Sequence, residues 1–218
     1  MTVTSKATYS SVLGYLTSST ARTAQVGISV VTIYILYHVS TNDIIFFSGH
    51  IVFNALGIFG LAQSIILVQP TSTADDKQIG GTLHGWFNLI SISLFLTGFW
   101  IVYENKERNN VRHFYSWHGI AGLTTYLMLI STMLVGITQY WFPSVYGSIA
   151  AAKSMYKYHR VTGYFAFLLS FITVLLSTWS SYNAKVLHMK PWSLFLAWVV
   201  VIAGVGLRVK RSKMAVFR

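Results

Sequence analysis

The chain has 218 residues, of which 54% are hydrophobic and only 10% are charged, and its formal net charge at pH 7 is +11. Soluble domains carry about 25% charged residues, so this composition excludes a single soluble core and indicates a membrane protein. The absence of cysteine excludes disulfides, iron–sulfur clusters and thiolate ligation of zinc or haem.

Six apolar stretches are long enough, or nearly so, to cross about 30 Å of hydrocarbon. The first is the weakest, because Tyr34, Tyr37 and His38 give its end an interfacial character. Only short polar joints connect the stretches, and all five acidic residues fall in these joints. We therefore expect one all-α membrane protein with six transmembrane helices, over residues 22–39, 44–68, 80–103, 116–139, 158–180 and 190–208.

The ends of the chain set the expected domain boundaries. Residues 1–21 are polar and lack the apolar core of a cleavable signal peptide. We expect them to form a cytoplasmic N-terminal segment, followed by a transmembrane domain over residues 22–208 with its central four-helix core at 44–180. Residues 209–218 are expected to form a basic cytoplasmic tail.

The distribution of Lys and Arg predicts the orientation. With both termini on one side, the split is about 11 to 5. Membrane proteins keep the excess of Lys and Arg in the cytoplasm, so we predict that both termini are cytoplasmic and that the net charge does not indicate nucleic acid binding. The cytoplasmic group is Lys6, Arg22, Lys77, Lys153, Lys157, Arg160, Arg208, Lys210, Arg211, Lys213 and Arg218, and the other is Lys106, Arg108, Arg112, Lys185 and Lys190.

Four histidines lie a few residues inside the starts of the second to fifth stretches: His50, His84, His118 and His159. Ionisable residues at such depth are costly and usually functional. Because successive helices run antiparallel, His50 and His118 should meet near the non-cytoplasmic face, and His84 and His159 near the cytoplasmic face. Two imidazoles from separate helices are a common ligand pair for a b-type haem. We predict two haems b, roughly 15 Å apart along the membrane normal.

Other interpretations of these histidines remain open. A single intramembrane histidine often hydrogen-bonds a neighbouring hydroxyl or carbonyl group. A histidine-lined transporter for metal ions or protons, without haem, is the main functional alternative. A structural or assembly protein, in which the histidines only tie helices together, is a third.

The phrases around the histidines carry a family resemblance. They are FFSGH ending at His50, TLHGWFN around His84, RHFYSWHGIAG leading through His118 and YKYHRVTGY around His159. Together they resemble the cytochrome b561 family, and the short cytochrome-b561-domain transmembrane reductases in particular. The resemblance implies electron transfer from cytoplasmic ascorbate through two haems b to monodehydroascorbate or a ferric chelate. It also implies a possible homodimer, in an endomembrane (ER, vesicle or vacuole) rather than the plasma membrane.

The resemblance further suggests residues for substrate binding. Family members hold ascorbate with basic residues near the cytoplasmic haem, although Gly81 and Thr82 stand here where members often carry a lysine. On the opposite face, His113 precedes His118 by five residues, as a second histidine does in the family, and Arg112 adjoins it. These two are candidates for binding the acceptor, and no catalytic residue is expected beyond the haems and their ligands. The candidates for donor binding are Lys77, Lys153, Lys157 and Arg160.

Overall fold

The computed structural model describes residues 7–209, and within this part the chain forms helices and no strand. Lys6 and the predicted basic tail beyond residue 209, with Lys210, Arg211, Lys213 and Arg218, lie outside the described residues. The α-helices are α1 (Tyr9–Leu13), α2 (Ser19–Ser40), α3 (Ser48–Val68), α4 (Ala74–Arg108), α5 (Trp117–Trp141), α6 (Ile149–Ser154), α7 (Tyr156–Ser177) and α8 (Pro191–Gly206).

Within the described residues, five helical segments are long and apolar enough to span a bilayer. They are α2, α3, α4, α5 and the combined segment Ile149–Ser177, which joins α6 to α7. The all-helical membrane architecture is therefore confirmed for the first five predicted spans. The sixth predicted stretch forms α8, but its 16 residues cover only about 24 Å, so a six-span bundle stays a prediction.

Helix α4 extends well beyond the predicted stretch 80–103, because both of its ends have favourable polar groups. At the start, Thr73 Oγ1 accepts from the Asp76 amide at 3.1 Å, and Asp76 Oδ2 accepts from the Thr73 amide at 3.4 Å. Such reciprocal capping stabilises a helix start. The acidic residues placed in joints by sequence therefore lie, apart from Asp43, at the ends of this helix. Asp76 is also buried, and it accepts from the Tyr15 hydroxyl at 3.2 Å.

The bundle is built from two antiparallel helix pairs. Helix α3 packs along α4, and α5 packs along α7, whereas the α3/α4 hairpin and the α5/α7 hairpin contact each other only sparsely. Small residues allow the close approach within the first hairpin: a Cβ at Gly57 would lie 2.8 Å from the Phe95 ring. Helix α2 packs between α3 and α8. The result is a slot between two well-packed hairpins.

Arg208 fastens the end of α8 to the rest of the bundle. Its side chain is buried and donates to the carbonyl oxygen of Ile66 at 3.2 and 3.0 Å. It also donates to Ser18 Oγ at 2.6 Å, to Thr20 Oγ1 at 2.8 Å and to the carbonyl oxygen of Tyr15 at 3.0 Å. One guanidinium thus joins α8 to the C-terminal end of α3 and the N-terminal end of α2.

Replacing Arg208 with alanine should lower the stability of the detergent-solubilised protein by about 2–4 kcal/mol, because several charge-assisted bonds are lost and the buried carbonyl oxygen of Ile66 loses its guanidinium donor. Thermal unfolding followed by circular dichroism measures the effect. The matched control is Arg22→Ala, since exposed Arg22 donates only at 3.2 Å to the Thr17 carbonyl oxygen. Equal unfolding temperatures for the two variants would contradict the prediction.

Candidate cofactor site formed by four histidines

The four intramembrane histidines meet in two pairs, as the antiparallel order predicts. The imidazole centroids of His50 and His118 lie 6.3 Å apart, with an angle of 82° between the ring planes. Those of His84 and His159 lie 6.2 Å apart, at 79°. Each pair joins one helix of the α3/α4 hairpin to one helix of the α5/α7 hairpin, so both pairs lie across the slot.

Backbone carbonyl groups orient three of the four imidazoles through Nδ1. A carbonyl oxygen only accepts, so each of these Nδ1 atoms carries the proton and Nε2 is left as the basic nitrogen. This is the state in which histidine binds a metal, with the hydrogen bond fixing the ring orientation. The bonds are His50 to Gly98 at 2.9 Å, His84 to Ser64 at 3.1 Å and His118 to Thr173 at 2.9 Å.

These carbonyl groups follow a common register. Ser64 is fourteen residues after His50, Gly98 fourteen after His84, and Thr173 fourteen after His159. Fourteen residues make about four helical turns, or about 21 Å. The two pairs are therefore about 21 Å apart along the helices, rather than roughly 15 Å. The estimate from sequence was too short because three of the histidines are only the second to fourth residues of their helices.

His159 is the exception among the four. Its buried Nδ1 has no hydrogen-bond partner in the part of the chain that the structure describes. The carbonyl group of Thr132, fourteen residues after His118, lies near this nitrogen without completing a bond. Its ring instead packs against Gly136, where an added Cβ would lie 2.8 Å from Cε1 of His159. Gly136 therefore makes room for the imidazole, a role that sequence reasoning missed.

The spacing of each pair fits two axial ligands on one metal centre. An imidazole nitrogen lies about 1.15 Å from its ring centroid and a metal–imidazole bond is about 2.0 Å long, which puts the centroids of two opposed ligands about 6.3 Å apart. No group of three or more His, Cys, Asp or Glu side chains within residues 7–209 could hold a metal ion. Each pair thus offers two imidazoles at a spacing that fits a haem iron, which would need only two ligands from the protein.

Glycines near the histidines have two different roles. At Gly122 and Gly163, each four residues after a histidine, an added Cβ would meet nothing closer than a threonine methyl group, at 3.6 and 3.8 Å. These positions leave space for a flat cofactor beside the helix. At Gly49, by contrast, the space is filled by Ile101, since a Cβ there would lie 2.7 Å from Ile101 Cδ1. This glycine serves helix packing.

The candidate donor-binding residues lie at the end of the bundle that holds His84 and His159. Lys77 is exposed in the second turn of α4, and Lys153 is exposed in α6. Lys157 and Arg160 are half-buried in the first turns of α7, and Lys157 Nζ lies 5.1 Å from the centroid of the Tyr158 ring. The four residues therefore share one end of the molecule.

The structure explains why no lysine stands at Gly81 or Thr82, where members of the family often carry one. A Cβ at Gly81 would lie 2.9 Å from the Tyr140 ring, and the Tyr140 hydroxyl lies 3.0 Å from Thr82 Oγ1 and donates to the Gln78 carbonyl oxygen at 3.0 Å. Tyr140, from the end of α5, thus covers the site where a lysine side chain would stand. Sequence reasoning did not identify this tyrosine, because its partners lie 58 to 62 residues away.

The candidate acceptor-binding residues lie at the end that holds His50 and His118. Arg112 is exposed, and its carbonyl oxygen accepts from Lys106 Nζ at 3.0 Å. His113 is already engaged: its Nε2 lies 2.7 Å from Glu107 Oε1, and its ring centroid lies 4.6 Å from that of Tyr103. An acceptor would therefore meet the Arg112 side chain and a histidine paired with a carboxylate.

Comparison with known proteins places the chain in a family. The model of the eukaryotic cytochrome b561 family matches residues 49–184, which is more than half of the chain and includes all four histidines. The chain belongs to the eukaryotic cytochrome b561 family. Cytochrome b561 proteins bind haem b. The spacing of both histidine pairs fits this cofactor, as does the tautomer of His50, His84 and His118.

Relatives of this cytochrome b561 protein include the transmembrane ascorbate-dependent reductase CYB561 of Sus scrofa and that of Homo sapiens. Each is 26% identical over 131 residues, covering 60% of this chain and 51% of the relative. The chain therefore spans about half the length of the curated relatives it matches. No solved structure matches it.

Replacing Gly136 with alanine should displace His159 and remove haem from the His84–His159 pair, since the new methyl group would stand 2.8 Å from the ring. Pyridine haemochrome analysis of the purified variant should show a loss of haem per chain relative to the unmodified protein. Gly206→Ala is the matched control, because a Cβ there meets nothing within 4 Å. Full haem content in Gly136→Ala would show that the ring has room to move.

Proposed function

We propose that the chain is a dihaem transmembrane oxidoreductase, an ascorbate-dependent ferric or monodehydroascorbate reductase. Electrons enter from cytoplasmic ascorbate at the His84–His159 end and leave at the His50–His118 end to monodehydroascorbate or a ferric chelate. The observation that carries the proposal is the presence of two opposed histidine pairs about 21 Å apart along the helices. The names of the ascorbate-dependent relatives support the donor.

When bound, the haems supply the one-electron redox chemistry. The chain's own residues perform three tasks. His50 and His118 would hold one haem through their Nε2 atoms, and His84 and His159 would hold the other. The carbonyl groups of Gly98, Ser64 and Thr173 hold the Nδ1 protons and thereby fix ring orientation. The apolar helices exclude water along the path between the two pairs.

Surface charges are proposed to bind the two substrates. Ascorbate and most ferric chelates are anions, and basic side chains at a membrane face raise their local concentration. Lys77, Lys153, Lys157 and Arg160 form the proposed donor site. At the opposite end, Arg112 and His113 form the proposed acceptor site, where His113 is paired with Glu107.

The proposed arrangement in the membrane follows from the positive charges. Both termini lie in the cytoplasm, with residues 1–21 as the N-terminal segment, 22–208 as a cytochrome b561-like domain of six spans with the haem core at 44–180, and 209–218 as the tail. An endomembrane location and a homodimer complete the proposal. In the alternative, a transporter without haem, the same histidines would carry metal ions or protons.

The decisive experiment is a reduced-minus-oxidised optical spectrum of the purified, haem-supplied protein, with pyridine haemochrome quantification and titration by ascorbate. Two haems b per chain, at least partly reduced by ascorbate, would support cofactor and donor together.

His84→Ala should then retain one haem and lose electron transfer across a vesicle membrane. His38→Ala is the control, since His38 lies outside both pairs on α2. Colourless, well-folded protein would favour the transporter, which metal flux assays would then test.

Removing charge from the donor end should weaken ascorbate binding without changing the chemistry. In proteoliposomes, the double variant Lys77→Gln, Lys153→Gln should raise KM for ascorbate severalfold, leave kcat nearly unchanged and reduce the effect of ionic strength. Lys185→Gln, on the predicted opposite face, is the control. An unchanged KM in the double variant would place ascorbate elsewhere.

A further inference from the structure

Tyr126 lies between the two histidine pairs. It is eight residues after His118 on α5, about 12 Å along the 21 Å that separates the pairs. Its ring makes edge contacts with Phe99 and Phe95, with centroids 5.2 and 6.1 Å away. Its hydroxyl donates to Asn54 Oδ1 at 2.7 Å. The Tyr126 hydroxyl, beside these phenylalanine rings, is thus directed at Asn54 on α3.

The contacts of Asn54 determine which way its amide points. Asn54 Nδ2 donates to the carbonyl oxygen of His50 at 2.6 Å. That oxygen only accepts, so this end of the amide is the NH₂ group and the other end must accept the Tyr126 proton. Nδ2 also lies 3.3 Å from Nδ1 of His50. Nδ1 of His50 already donates to Gly98, so two hydrogen-bond donors face each other at this contact. The Asn54 amide therefore blocks the His50 ring from turning away from Gly98.

Gly98 shows how closely this arrangement is packed. A Cβ at Gly98 would lie 2.5 Å from Asn54 Nδ2 and 3.4 Å from the carbonyl oxygen of His50. The same glycine therefore supplies the carbonyl oxygen that accepts from His50 and the space that holds the Asn54 amide. Tyr126, Asn54, Gly98 and His50 form one connected unit.

The unit links the two hairpins, and the other histidine pair lacks this link. Asn88, four residues after His84, donates to the carbonyl oxygen of His84 at 2.7 Å, just as Asn54 does for His50. Its Oδ1, however, accepts from Ser64 Oγ at 3.3 Å, within the same hairpin. The residue eight positions after His159 is Phe167, which has no hydroxyl group.

We propose that Tyr126 and Asn54 form a brace that positions His50 against His118 and thereby sets the reduction potential of that haem alone. Both are positioning residues, and the proposal rests on the proposed dihaem function. A firmly held Nδ1–H bond to Gly98 makes His50 a stronger donor to iron, which favours the ferric state. Without the brace the ring can turn, the bond weakens, and the potential of this haem rises.

The test is a potentiometric titration of the purified holoprotein carrying Tyr126→Phe, Asn54→Leu or both. In each single variant, one of the two redox waves should move to higher potential. In the double variant that wave should move by no more than in the single variants, since the two residues act as one unit. The same shift should occur in the His84→Ala background, which retains only the His50–His118 haem. Tyr164→Phe is the control, because the buried Tyr164 hydroxyl has no hydrogen-bond partner among residues 7–209.

Three outcomes would overturn the brace: no shift in either wave, equal shifts in both waves, or additive shifts in the double variant. Each is obtained with a haem-loaded protein, so the proposed function would survive them. A haem-free parent protein would instead overturn the proposed function and the brace with it. The two failures are therefore distinguishable from the spectrum of the parent protein alone.

Discussion

The hydrogen bond from histidine Nδ1 to a backbone carbonyl oxygen is the constraint on which the site depends. His50 on α3 is held by Gly98 of α4, and His84 on α4 is held by Ser64 of α3. Each helix of this hairpin thus supplies one imidazole and orients the other. A shift of one residue along either helix would move the carbonyl group by about 1.5 Å and turn it by about 100°. The register of the hairpin therefore fixes the depth, tautomer and direction of two ligands at once.

Much of the fold could be predicted from sequence because apolar length and antiparallel order suffice to place helices and to pair the histidines. The ends of the helices could not be placed in this way. Helix α4 continues past its apolar stretch because Thr73 and Asp76 cap it, and such capping acts on polar residues that a hydropathy pattern assigns to joints. The separation of the pairs was underestimated for the same reason, since it depends on how near each histidine lies to its helix end.

The site was only partly predictable. Imidazoles stand out in an apolar sequence, whereas the carbonyl groups that orient them belong to the backbone and leave no signal in residue identity. Asn54 and Asn88, each four residues after a histidine, were the available hint of a repeated environment. Tyr126 could not be assigned, because its partner lies 72 residues away and the contact exists only once α5 is placed beside α3.

The shortness of α8 has a consequence for the surrounding lipid. If its 16 residues span the bilayer, their length of about 24 Å falls short of a hydrocarbon layer of about 30 Å. Short helices are usually accommodated by flanking basic side chains that extend to the headgroups. Arg208 is not available for this, since its guanidinium is bound to Ile66, Ser18 and Tyr15. Whatever part of the mismatch other flanking side chains leave is met by local thinning of the lipid, which costs less in the ER bilayer of about 27 Å than in the plasma membrane of about 32 Å.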